Sequence, residues 1–583
     1  DNLSVDADAN AASAAITGGT VAISVSLAAA LASNVSTGVT RAGIRNSRVD
    51  ANGGDVQVSA ESLTTLTATP DAIAIAASIG IGLSASGSGA SGMNTSTSMM
   101  EAFIAEGSDV EASAAIIVEA SDNSDATAEI ISISVSAGLV GAALSVGFAE
   151  NLLTNSTLAY IADSSANAQG GSIRIDADAT QDIESTATVL AVSASVGAAG
   201  AGADASTTIN STVEAYARDA SLTATGNSVF IDADSQHTAH ALSQGGAASA
   251  VGVSVMFADA TIGGATRAYG DGNLTISADQ LSVTADSTAS ALPDGESVAI
   301  GLALGGAGAK VTGEVARATE AYLGTRAGEV PSGPTMVSVP NGDVFIQANS
   351  VFTAIATPVS LGIGAVGVAL SFTEAKITGQ TLAYVGEDAT ISGAELDVLA
   401  TSDENATADT RVLALAAGVS AALATADVDI DSEIEAWIGT RPGDVPSIGA
   451  STTVTITAGG SGDGSVVVDA DAVRTADADA RGISASFAAA VGAMLPSATV
   501  GGKIGAGLGG DVFLSAGNVE ITAGGENLAD AKALVASISV GAGVSGARAT
   551  ALIEDTADVM AVVGSSAVIA DFDGDVSTAS QVT

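Results

Sequence analysis

MEAFIAEG at 100–107, TLAYIADS at 157–164, VEAYARDA at 213–220, TRAYGDG at 266–272, TEAYLGT at 319–325, TLAYVGE at 381–387 and EIEAWIGT at 433–440 are seven versions of one slot. In each, an aromatic ring directly follows an alanine: Phe103, Tyr160, Tyr216, Tyr269, Tyr322, Tyr384 and Trp437. All five tyrosines and the only tryptophan fall there, at intervals of 53 to 62 residues. Weaker copies, TRAGIRN around Ala42, KIGAGLGG around Ala506 and DVMAVVGS around Ala561, bring the number to ten. A fixed long period is the mark of stacked supersecondary units, so the chain reads as a tandem array.

Working outward from the slot, each unit opens with a short apolar strand, such as DVQVSAES at 55, SIRIDADA at 172, SVFIDADS at 228 and SVVVDADA at 465. LSVDADA at 3 is read as the first of the series. Period-two alternation with β-branched residues predicts strand. A longer alternating run follows. In SVAIGLALGG, Val298, Ile300, Leu302 and Leu304 share one face, and Ala299, Gly301, Ala303 and Gly305 share the other. Both faces are expected to be buried, one in a conventional core and the small one against a closely approaching sheet. The segment ending in the aromatic slot is richer in Thr, Asn and acid, and is expected to be more exposed.

Three strand-rich segments per ~57 residues, with no helical stretch, predict an all-β fold: an elongated parallel β-solenoid of about ten tandem repeats. The array is expected to form a single domain over 1–583. Its repeats fall near 3–54, 55–114, 115–171, 172–227, 228–279, 280–342, 343–394, 395–464, 465–518 and 519–574, and 575–583 reads as the start of a further one. One repeat per coil would set equivalent residues about 4.8 Å apart and make the slot a structural ladder of rings.

Seventeen basic residues against 65 acidic ones give a formal charge of −48, which argues against nucleic acid as a partner. Mean hydropathy of +0.44 argues against disorder. There is no cysteine, which suits a large secreted protein. The chain begins at Asp1 without a signal peptide, and is expected to be a mature or internal piece. Charge-free runs such as 185–203 reach the length of a membrane helix, but their small alternating residues do not suit one, so no transmembrane segment is expected. Sixteen aromatic residues spread mostly along one column do not supply the two girdles of a membrane barrel.

Four Asp-Ala-Asp pairs, Asp6 with Asp8, Asp176 with Asp178, Asp232 with Asp234 and Asp469 with Asp471, put two carboxylates on one strand face. They are the candidate metal ligands, with Ca²⁺ the suited ion; the alternative is a solvated acidic face. His237 and His240 form an HxxH, which on a strand points to opposite faces. No GxSxG elbow, HExxH or phosphate loop is present, so no enzyme is expected.

Two matching insertions follow the slot, GTRAGEVPSG at 324–333 and GTRPGDVPSI at 439–448, and hold Arg326, Pro331, Arg441 and Pro446. These are the candidate partner-binding loops, their arginines free to pair with acids on a neighbouring chain.

With opening strands such as SIRIDADA and SVFIDADS followed by Ala/Ser/Gly alternation and a Gly-rich turn, the chain resembles the repeat regions of giant secreted bacterial adhesins and matrix proteins, the filamentous-haemagglutinin-like group of β-solenoids. The resemblance implies a secreted, cell-surface rod for adhesion, spacing or biofilm-matrix building. The expected function is therefore a structural segment of an extracellular fibre, giving length, stiffness and self-association. The alternative is an adhesin stalk that binds a glycan or surface through 324–342 and 439–464.

Overall fold

A computed structural model describes residues 2–441, 444, 451–456, 464–564, 567–570 and 576–582. The fold is all-β: 84% of the residues are in strands and no helix is present among the described residues. Every strand pairing is parallel, apart from one isolated antiparallel bridge between Thr325 and Glu387. Each residue therefore stands beside its counterpart one repeat away.

The second repeat shows the pattern. An opening strand, Val56–Ile79, runs to a turn at Gly80 and Ile81, and a return strand, Gly82–Ser96, comes back across it. The ring strand, Met99–Ala105, follows, and then a short edge strand, Asp109–Ala112. Edge strands of ten repeats make a separate parallel sheet of ten. Sequence alone gave no fourth strand, because four residues are too few to show alternation. Between ring and edge strands the backbone turns through a left-handed corner, at Asn46, Glu106, Asp163, Asp219, Asp388 and Asp511. Asn and Asp tolerate that conformation better than other side-chain-bearing residues, which explains the acid that so often trails the slot.

Two cores result. One joins the start of the opening strand, the ring strand and the edge strand through Val, Ile and Ala such as Ile175, Ile161 and Leu222. The other lies between the opening and return strands; it is rich in alanine but also buries Leu66, Ile130, Ile183, Met256 and Phe352. Here the sheets approach closely enough for the hydroxyls of Ser86 and Ser134 to meet at 2.7 Å and those of Ser145 and Ser132 at 2.9 Å. A polar belt separates the cores. In it the buried Arg317 donates to Thr266, Ser287 and the carbonyls of Ser211, Gly263 and Ala265, and Glu404 faces Arg474 at 3.5 Å.

Two expectations are reversed. In the middle run the small face is buried against a closely approaching sheet, as expected, but the large face is open: Ala299 is fully buried, whereas Leu302 is 83% exposed. Near the turn the two sheets come close enough to favour Gly, Ala and Ser between them, and a larger inward residue such as Ile130 is accommodated opposite Gly147. The ring strand, expected to be the more exposed, is nearly all buried at Met99–Ala105, Ala318–Leu323 and Gln380–Val385, half-buried at Ser156–Ala162 and more exposed at the ends of the array. The first strand also departs from its reading. Val5 pairs with Leu66 and Asp6 with Thr67, so LSVDADA lies beside the middle of the next opening strand rather than its start.

Turn glycines hold the small-residue core together. A Cβ at Gly197 would lie 1.7 Å from the Gly141 carbonyl oxygen. Gly197→Ala is expected to cost about 1–3 kcal/mol by overpacking, seen as an earlier unfolding onset in thermal or denaturant titration. Gly53→Ala, where nothing lies within 4 Å of the added carbon, should leave the onset unchanged.

Candidate functional site

The seven rings form one continuous stack. Centroids of Phe103 and Tyr160 are 5.5 Å apart, the next four steps measure 4.8 to 4.9 Å, and Tyr384 to Trp437 is 4.2 Å. Planes of neighbours agree within 14°. Strand pairing sets that spacing, since Tyr160 is beside Tyr216, Tyr216 beside Tyr269 and Tyr384 beside Trp437. The column ends on glycine at both sides: Gly43 pairs with Phe103 and Gly507 with Trp437. At Gly43 the Phe103 ring occupies the space a side chain would need.

Tyr322, Tyr384 and Trp437 are at most 1% exposed, so this part of the column offers no open platform for a sugar ring or a flat surface. Arginines cover it. Arg45 lies 5.1 Å from the Phe103 centroid, Arg218 spans Tyr216 and Tyr269, and Arg441 lies over Trp437. The first insertion closes on it as well, its Ala327 amide donating to the Tyr384 hydroxyl at 3.2 Å.

Arg326 is held by Glu320, with Nη2 to Oε1 at 2.5 Å, and by Glu329. Arg441 is held by Glu433 at 2.8 Å and by Glu435. Both therefore have acidic partners within the chain. Between the two insertions lies a cavity of about 420 Å³, lined by Arg326, Glu329, Glu387 and Arg441 among others. Pro331 is half-buried nearby, and Pro446 lies outside the described residues.

The Asp-Ala-Asp pairs fall in different places. Asp176 stands between Glu119 and Asp232, and Asp178 beside Asp234, which in turn is beside Asp286. Asp469 and Asp471 lie far along the stack, next to Thr522 and Gly524, while Asp6 and Asp8 pair with threonines. Among the described residues no three His, Asp or Glu side chains converge as an ion-binding group. Arg174 instead bridges Asp176 at 3.0 Å and Asp232 at 3.5 Å. The pairs thus form a graded acidic face. Burial, then the stacked carboxylates of Asp178 and Asp286, pushes Asp234 up to about 6.

His237 is buried with both nitrogens unpartnered, and His240 is on the opposite face, 3.8 Å from Glu184. Burial and then Arg317 hold His237 well below the ordinary imidazole range. Among the described residues no serine hydroxyl bonds either imidazole. Sequence reasoning missed the Arg317 and Glu404–Arg474 belt. Its only signal was a charge at an inward position of an alternating run.

No family model, curated protein or solved structure matches this chain.

Two outcomes follow. Asp234 keeps its proton to about pH 6 when folded but releases it near 3.8 when unfolded, so the folded state binds more protons in that window. Its contribution therefore falls as pH rises through it. Asp234→Asn should stabilise the fold at pH 7 by about 1 kcal/mol at most at this part-exposed position, read as a higher melting temperature, and do nothing at pH 4. For the rings, burial pushes all five tyrosines up, Tyr216 to about 12. In an alkaline titration, phenolate absorbance should stay low past about pH 10 and then appear together with loss of β-structure.

Proposed function

We propose that this chain is a segment of a secreted, cell-surface fibre or matrix protein, folded as a parallel β-solenoid with one repeat per coil, and that its work is mechanical. The observation that carries this reading is the unbroken column of seven rings at strand spacing. Such a column requires seven successive repeats to lie side by side without slippage. Burial of the rings and internal pairing of Arg326 and Arg441 weigh against recognition at the slot.

Ten coils at about 4.9 Å rise only ~50 Å, while a strand of 24 residues reaches up to ~80 Å across. The unit is a wide ribbon. It adds little reach per residue and much resistance to bending, so stiffness and lateral contact describe its job better than length. High negative charge keeps so apolar a ribbon soluble.

The adhesin alternative has one observation in its favour, the cavity between the insertions. Negative-stain micrographs and fibre diffraction of the purified chain separate the two. A structural segment should give ribbons or lateral assemblies with a 4.8 Å reflection along the stacking axis. Absence of that reflection would remove the solenoid reading. Single unassociated particles that bind immobilised glycans, and lose binding when 327–333 is deleted, would replace the fibre reading with the stalk.

A further inference from the structure

The outward face of the return strands carries a second period, twice the first. Following strand pairing from repeat one to repeat ten, one outward position reads Leu27, Gly87, Leu144, Gly200, Val253, Gly306, Val368, Ala421, Val491 and Val544. Four residues further along the strand, the column runs Leu31, Ser91, Phe148, Asp204, Phe257, Lys310, Phe372, Thr425 and Leu495. The position between them alternates over repeats two to seven, with Gly89, Gly202 and Gly308 in repeats two, four and six, and loses the alternation at Leu423 and Ala493. Across repeats two to seven, odd repeats raise a ridge of apolar side chains and even repeats carry smaller or polar ones. Ridges recur every two coils, about 9.8 Å.

This surface is apolar, exposed and almost free of charge. Leu27 is 72% exposed, Phe148 52% and Phe372 41%. Each repeat also holds an uninterrupted charge-free window around its turn, for example 130–149, 185–203, 412–426 and 482–502. Leu27 and Leu144 lean over Gly87 and Gly200, but Gly89, Gly202 and Gly308 meet no side chain within 4 Å, so those troughs are open. The large ridge side chains together expose on the order of 800 Å² per copy, the share that one partner contributes to a standard stable interface.

We infer that this corrugated face docks a second copy of the chain, ridge into trough, in an antiparallel two-fold pair. The inference rests on the self-associating ribbon proposed above, and specifies its contact surface. Corrugation decides the orientation. A parallel pair in register would set ridge on ridge, whereas a two-fold axis along the strand direction can set repeat k against repeat 9 − k, which matches odd with even across the alternating repeats two to seven. It also brings Lys310 of each copy within one coil of Asp204 of the other. They lie in repeats six and four of the same column, whose third charge, Arg548, is in repeat ten. A bilayer is a poorer occupant, because the rim next to the ridges carries Glu150, Asp259, Glu374 and Asp427 rather than Trp, Tyr, Lys or Arg.

The test is sedimentation velocity of the full chain over a concentration series, with thermal melts as the control for folding. Lys310→Glu and Asp204→Lys should each weaken association tenfold or more. The double exchange, Asp204→Lys with Lys310→Glu, should restore it to within about threefold, a result specific to this register. Filling the troughs with Gly89→Val, Gly202→Val and Gly308→Val should abolish association while leaving the melt intact, since the added groups point into open space. If wild type associates and none of these variants alters it, this interface is wrong while the ribbon reading stands. A wild type that stays monomeric at every concentration overturns both. Flotation with phosphatidylcholine vesicles that depends on Phe148 but not on Lys310 would assign the face to a membrane and overturn the pairing.

Discussion

Parallel, in-register pairing is the constraint from which the other features follow. When each residue lies about 4.9 Å from its counterpart one repeat away, every side chain must be compatible with copies of itself. Flat rings satisfy that demand well, which is why a column of Phe, Tyr and Trp tolerates exchange among the three. Carboxylates satisfy it badly. Glu119, Asp176 and Asp232 accumulate like charge along one column, partly relieved by Arg174, while burial pushes Asp232 up to about 6. The chain limits the damage by breaking its acidic columns after a few repeats with Thr284, Gln347 and Leu399.

The same constraint explains the inverted partition of size. A conventional core fills space with bulky side chains, but here opening and return strands are close enough for serine hydroxyls to bond across the gap. Gly, Ala and Ser are favoured near the turn, while Ile130 and Met256 are still enclosed further along. The outward Val, Ile and Leu remain apolar surface that a partner can cover.

Much of the frame was legible in the sequence. The Ala-aromatic slot fixed repeat spacing, and Ala42, Ala102, Ala436, Ala506 and Ala561 do stand in one paired column at its two ends. Alternation gave the strands. What it could not give was which face points inward, because period two is identical for a ribbon with large residues inside and one with small residues inside. LSVDADA misled because local resemblance to SIRIDADA outweighed register, which depends on pairing further along the strand. The belt of Arg317, Glu404 and Arg474 was invisible for a related reason. A charge in an alternating run marks an outward position by default, and only the geometry of the bend brings carbonyls and hydroxyls around it.

The doubled period on the return strands bears on how such an array can lengthen. Inserting one repeat would preserve every strand pairing and every ring contact, and so would be silent in the folded monomer. It would nonetheless shift all later ridges by half a wavelength and put crest against crest wherever two faces meet. If the faces pair as inferred above, a single-repeat insertion would leave folding intact and disturb the contact, whereas gain or loss of two repeats would preserve it. On that inference the assembling module is the pair of repeats, even though the folding module is one.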